Sequence, residues 1–313
     1  MSKKKALCFT GILLWLVCAA GGSSFGRSTA EASAPTLVTR SGAATGSARA
    51  GARIVFSCGG QVCVMNADGS GRRTLTRRQA WNLTPSWSPD GRRIAFASNR
   101  DRNSDALDVY VMNVNGSDQR RVTRTKGGDS STDPAWSPDG RRIAFSSDGI
   151  HVVNVDGSGL RRLTRTWDET PAWSPDGRRI AFTSRRDGDY DVYVMNADGT
   201  GQRNLTRNAA DDHVHVGGWS PDGRRIVFHS DRGGNRDIYV MNADGSGQRN
   251  LTRNPAADLF AAWSPDGTQI AFTKRVGLGN PEIYVMNADG SGQRNLTRNL
   301  GGAAPAWSPV PHS

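Results

Sequence analysis

The sequence predicts an all-β protein, a six-bladed β-propeller of four-stranded blades, and three observations lead there. Four landmarks recur six times in a fixed order. Successive copies lie about 40 residues apart, the size of one four-stranded blade. The runs between the turns are rich in Val, Ile, Tyr, Phe and Thr, and no stretch after residue 20 repeats with a helical period.

The landmarks are easily followed. "IVF" or "IAF" starts at Ile54, Ile94, Ile143, Ile180, Ile226 and Ile270, and "MNADG" or a variant follows at Met65, Met112, Val153, Met195, Met241 and Met286. "LT" or "VT" comes at Leu75, Val122, Leu163, Leu205, Leu251 and Leu296, and "WSP" at Trp87, Trp136, Trp173, Trp219, Trp263 and Trp307. The copy that begins at Pro171 reads as strands A ("PAWS"), B ("RIAFTS"), C ("DVYVMN") and D ("QRNLT"). The apolar runs of B and C are nearly continuous, as expected when neighbouring blades cover both faces of each sheet. The first repeat opens at strand B near Arg53 and the last ends at strand A near Trp307. The two ends are therefore expected to share one blade and close the ring, leaving no open edge.

Residues 1–20 read as a signal peptide, with Lys3, Lys4 and Lys5 before an apolar run from Ala6 to Ala20. That run is short for a bilayer span, and no later segment is apolar for about 18 residues, so no transmembrane segment is expected in the mature chain. Cleavage after Ala20 and cleavage near Ala30–Ala32 both fit. Residues 21–52, rich in Ala, Ser, Gly and Thr, read as a leader remnant and flexible linker, and 53–309 as the propeller. The protein is expected to be exported, to the periplasm or beyond, and to act as a monomer. Outside the leader only Cys58 and Cys63 remain; they flank "GGQV", so a disulfide across a hairpin is expected, with two buried thiols as the alternative.

"SPDG" has the residues of an A-to-B hairpin turn and "NADGSG" those of a C-to-D turn. The acidic spacing of neither matches a calcium loop. The six WSP tryptophans read as packing between blades. Because successive strands run antiparallel, these two turns share one face of the disc and the B-to-C and D-to-A loops share the other. The net charge of +11 includes Arg92, Arg93, Arg141, Arg142, Arg178, Arg179, Arg224 and Arg225, spread round the turn face. A ring without interleaved aromatics does not make a nucleic-acid groove.

Function is therefore sought on the loop face. Its D-to-A loops differ in length and chemistry, from "TWDET" at Thr166 to "NAADDHVHVGG" at Asn208. Asp133, Asp168, Glu169, Asp211, Asp212 and Asp258 are expected near the mouth of the central channel. Trp81, Trp167 and Phe260 offer rigid aromatic anchors. His213 and His215 project to one side of an extended segment near Asp211 and Asp212, but lack a third fixed ligand, so no metal or cofactor is assigned. His229 reads as a core residue. The partner-binding set is thus Trp81, Asp133, Trp167, Asp168, Asp211, His213, His215, Asp258 and Phe260. "GSSFG" at Gly22 fits a nucleophile-elbow pattern without its strand-to-helix context, and no phosphate loop or dinucleotide fingerprint occurs, so no catalytic residue is assigned.

"PAWSPDGRRIAFTS" and "IYVMNADGSGQRNLT" together resemble the WD40-like PD40 repeats of the TolB propeller family, over residues 53–309. The resemblance implies a six-bladed disc and an exported, non-enzymatic protein-binding module of the cell envelope. A peptidoglycan-associated lipoprotein is the partner it suggests. Family members carry an α/β domain before the propeller, for which residues 21–52 are too short and too polar. Since related propellers include sugar-cleaving enzymes that use metal and histidine, the competing expectation is a carbohydrate-active hydrolase or lyase.

Overall fold

The computed structural model describes residues 51–77, 80–101, 105–124 and 129–309. The expected signal peptide and nearly all of the linker lie outside the described residues. Six four-stranded antiparallel sheets are present, and no described helix is long and apolar enough to cross a membrane. In blade 4 the strands are Asp168–Trp173 (A), Arg179–Ser184 (B), Asp191–Asn196 (C) and Arg203–Asn204 (D). The six A strands are Asn82–Trp87, Thr132–Trp136, Asp168–Trp173, Asp212–Trp219, Ala257–Trp263 and Ala303–Trp307, in blades 2, 3, 4, 5, 6 and 1. Each touches the next in a closed cycle, so they line the centre of the ring.

The ring closes as expected. Ala303–Trp307 pairs with Arg53–Cys58, matching Trp307 to Ile54 and Ala306 to Val55. Beyond it, Ser308 N donates to Arg53 O at 2.7 Å and Arg53 N donates to Ser308 Oγ at 2.9 Å. Ala52, expected in the linker, is already part of the blade: it is buried, and its carbonyl accepts from Ala67 N. Cys58 and Cys63 are joined in a disulfide, diagonally across the Gly59–Gly60 turn.

The repeated letters hold neighbouring blades together. The six WSP tryptophans are buried against the preceding blade. In five seams the first arginine of strand B lies over the next blade's tryptophan: Arg53 on Trp87, Arg93 on Trp136, Arg142 on Trp173, Arg179 on Trp219 and Arg225 on Trp263. Half of the arginines expected as a solvated ring are therefore packing residues. In each C-to-D turn a glycine meets the LT carbonyl of the preceding blade. A Cβ on Gly290 would lie 2.5 Å from Leu251 O, so only glycine lets the blades approach this closely. The LT threonine extends the two-residue D strand: Thr206 Oγ1 accepts from Val192 N at 3.1 Å, and its five counterparts do the same.

Candidate functional site on the loop face

The expected loops turn into strand at their inner ends. Asp133, Asp168, His213, His215, Asp258 and Phe260 all lie in A strands, which begin before the apolar letters do. Their polar composition hides them because they line a channel rather than a core. The A strands also carry a bulge, and its residue is left-handed in every blade: Thr84, Asp133, Thr170, Gly217, Phe260 and Ala304 have φ between 46° and 82°. Five of these six are not glycine, so the channel mouth is a ring of costly backbone, on the order of 1 kcal/mol at each position. Hydroxyls on neighbouring strands satisfy the amides so exposed. Thr170 N donates to Ser146 Oγ at 2.8 Å, Thr84 N to Ser57 Oγ at 3.1 Å and Ala304 N to Thr273 Oγ1 at 3.0 Å. Thr84, Asp133, Thr170, His215, Phe260 and Ala304 line one cavity at this level.

Burial corrects five of the nine expected contact residues. Asp168, His213, His215, Asp258 and Phe260 are buried, and a docked partner cannot reach them as surface groups. The two aspartates are held by cations from the B-to-C side, Asp168 by Arg186 at 2.7 Å and Asp258 by Lys274 at 3.9 Å. Asp212, in the position of Asp168, is held by Arg232 at 2.8 Å. Each of the two arginines also lies over its blade's C-strand tyrosine, Arg186 on Tyr193 and Arg232 on Tyr239. The expected acidic funnel is therefore largely a set of closed ion pairs. Trp81 is half-buried, packed on Gly60 and on the cluster of Leu83, Ala97, Leu107 and Ala303. Asp133 and Asp211 are half-buried, and Trp167 alone of the nine is well exposed, at 72%.

The three histidines of blade 5 form one stack. Cross-strand register sets His213 opposite His229, and the two rings lie 4.8 Å apart and nearly parallel. The A strand of this blade is eight residues long, two more than in blade 4. The extra length bulges at Gly217 and Gly218, and His215 packs between His229, 5.1 Å away, and Phe260, 4.6 Å away. His215 Nε2 and His229 Nδ1 are 3.2 Å apart, a hydrogen bond between two imidazoles. His213 Nδ1 faces a Glu169 oxygen at 3.8 Å, too far for a hydrogen bond. Burial depresses all three histidines, His215 to about 3. Burial, then the charges of Asp133 and Asp168, pushes Glu169 up to about 8. Asp133 is raised to about 6 by burial, against the hydroxyls of Thr132 and Ser146. The pair His213–Glu169 is consequently two neutral groups rather than an ion pair. Parallel rings do not aim their lone pairs at a common point, and among the described residues no three His, Cys, Asp or Glu side chains are placed to hold a metal. Nor is any hydroxyl or thiol among these residues hydrogen-bonded to a histidine: the bonds run to His229 and, for His151, to Gly149 O.

Reasoning from the sequence missed one set of residues that the repeat itself displays. The residue after each LT is arginine: Arg77, Arg124, Arg165, Arg207, Arg253 and Arg298. All six open a D-to-A loop on the loop face and all are exposed. None of their guanidinium groups makes a hydrogen bond or ion pair with the described residues. In blades 4, 5 and 6 the backbone under them is left-handed, with φ of 47°, 38° and 44°, fixed by the side chains of Asn204, Asn250 and Asn295 accepting from the arginine amide. The signal was the string "TR", repeated six times where strand D gives way to the D-to-A loop.

Comparison with known proteins gives the same picture. The family model described as the TolB beta propeller domain matches residues 57–169 and 209–312, more than half of the 313 residues. A Tol-Pal system protein TolB from Thioalkalivibrio sulfidiphilus is 41% identical over 64 residues, 20% of this chain and 14% of that protein. A dipeptidyl-peptidase 5 from Porphyromonas endodontalis is 37% identical over 68 residues, 22% of this chain and 9% of that protein. The chain thus spans a small part of both curated relatives. The crystal structure of TolB from Acinetobacter baumannii superposes with a TM-score of 0.71 at 22% identity, over 82% of this chain and 66% of that one, a likeness of fold.

Proposed function

Because the chain belongs to the TolB beta propeller domain family, we propose that it is an exported, non-enzymatic binding scaffold that holds a protein partner of the cell envelope on its loop face. One observation carries the reading: Trp167, 72% exposed, stands beside a low part of that face. It lies in the loop between blades 3 and 4. The B-to-C connection of blade 3 is only residues 147–149, whereas that of blade 4 is residues 185–190. A large aromatic ring at the edge of such a gap suits a contact anchor. Asp133 and the half-buried Asp211 stand on the same face.

The partner class follows from the family, and a peptidoglycan-associated lipoprotein is the first to test. The histidine stack supports binding rather than catalysis, since its members are neutral, buried and without a nucleophile to activate. A peptidase like the second relative would need such a group within reach. The test is capture of purified peptidoglycan-associated lipoprotein on immobilised protein. Trp167→Ala should weaken capture more than about tenfold, as expected for a Trp anchor. Undiminished capture by that variant, or capture abolished by a chelator, would remove this reading.

A further inference from the structure

Three of the four large apolar side chains exposed on the loop face, among the described residues, gather at blade 6. Its B-to-C loop carries Val276 and Leu278, 70% and 97% exposed, and the adjoining D-to-A loop carries Leu300, 65% exposed. The two loops form one unit, because Gly302 N donates to Pro281 O at 2.8 Å and Gly301 N to a Glu282 carboxylate oxygen at 3.4 Å. Glu282 is the one carboxylate here, and it also accepts from Thr297 Oγ1. Gly277 and Gly279 flank Leu278 and leave it at the crest of a convex tip. On either side of the blade stand Arg253 and Arg298, exposed, each without a side-chain partner.

This combination has a specific chemistry. A convex crest of aliphatic side chains offers no pocket for a partner's anchor, but it suits the soft boundary between lipid headgroups and acyl chains. Guanidinium groups bind phosphate through paired hydrogen bonds, and those on either side of the crest would meet the headgroup layer as the crest enters it. A net charge of +11, or 11 − 3 = +8 without Lys3, Lys4 and Lys5, draws the chain toward an anionic surface. Asp187, Asp189 and Asp211 lie two blades away, in blade 4 and its junction with blade 5, which favours a tilted approach with blade 6 lowest. We propose that the edge of blade 6 is a peripheral membrane-attachment site, Val276, Leu278 and Leu300 entering an anionic bilayer while Arg253 and Arg298 hold lipid phosphates. It is separate from the Trp167 edge and does not depend on that edge having a protein partner.

The experiment is co-sedimentation of the full chain with vesicles of phosphatidylglycerol and phosphatidylethanolamine, against vesicles of phosphatidylcholine. Wild type should prefer the anionic vesicles and be released by salt. Arg253→Ala and Arg298→Ala should each weaken binding about fivefold. Leu278→Asp should weaken it about tenfold or more. Trp167→Ala should bind as wild type. Leu278 is almost fully exposed, so Leu278→Asp should melt as wild type does, which separates lost attachment from lost fold. No preference for anionic vesicles would overturn the proposal. So would equal binding by wild type, Leu278→Asp and Arg298→Ala, since attachment would then come from another part of the chain.

Discussion

The two faces of the disc grow from the same strands, yet they use their repeated residues in opposite ways. On the turn face most recurring letters have a partner, although Arg92, Arg141, Arg178 and Arg224 reach solvent. Ser220 Oγ donates to Asp222 at 2.5 Å, Arg224 N donates to the same carboxylate at 3.1 Å, and Arg225 lies over Trp263 at 4.6 Å. On the loop face the arginine that follows LT recurs just as faithfully, and its guanidinium has no hydrogen-bond or ion-pair partner among the described residues. In three blades it even stands on left-handed backbone, which costs an L-residue about 1 kcal/mol. Repetition therefore does not separate structural letters from functional ones. What differs is the backbone under an exposed arginine, left-handed at Arg207, Arg253 and Arg298 on the loop face and not at Arg92, Arg141, Arg178 or Arg224 on the turn face.

The comparison breaks most severely if the ring is not closed by its termini. Deleting residues 303–313 removes the strand that carries Trp307 and uncovers Ile54 and Phe56, both fully buried. Loss of a tryptophan alone from a core costs about 3–5 kcal/mol, and here a whole strand goes with it. The shortened protein should lose cooperative thermal unfolding, or melt far below the intact one. Equal melting would mean that the two faces do not belong to one closed disc.

The next effect is in pH, and it isolates the channel mouth. Glu169 ordinarily titrates near 4.5 and is held protonated up to about 8 in the fold, so between these values the folded state keeps a proton that the unfolded chain releases. Stability should fall as pH rises through that window, by at most about 2 kcal/mol from pH 6.5 to 8. The histidines act in the opposite sense. Their ordinary value is 6.5, and His215 is depressed to about 3, so the unfolded chain binds protons the folded one refuses as pH drops below 6.5. Between about 4.5 and 6.5 the two effects oppose each other. Glu169→Gln should flatten the loss between pH 6.5 and 8, as read by urea unfolding at each pH. His215→Phe should lessen the loss on acidification. If Glu169→Gln weakened toward pH 8 as much as wild type does, the carboxyl would be ionised in the fold.

What was legible in the sequence follows the same division. The blades, their turns and the closing strand are written in local chemistry, in a Pro-Asp-Gly turn, an Asn-Ala-Asp-Gly turn and β-branched runs, and they stand where that chemistry puts them. Asp168 and Asp258 read as loop in the sequence for a physical reason. Strand A continues into the channel, where polar side chains meet partners on other strands, and no apolar alternation marks it. Arg186, which closes over Asp168, is 18 residues further on, and its role appears only when strands A and B pair. The Gly217–Gly218 bulge likewise depends on close contact with Ala262 and Val214, the first of them on the next blade and distant in sequence.

The smallest effect is the most direct test of the contrast between faces. Arg225→Ala on the turn face removes a guanidinium stacked on Trp263 and should cost about 0.5–2 kcal/mol. Arg207→Asn on the loop face removes an arginine of the same repeat from backbone with φ of 47°, a conformation asparagine adopts more readily. It should leave stability unchanged or raise it by up to about 1 kcal/mol. Both are read from paired urea titrations under identical conditions. If Arg207→Asn destabilised the protein as much as Arg225→Ala does, the loop-face guanidinium would have a structural partner after all, and the argument that sets the two faces apart would fail at its most repeated residue.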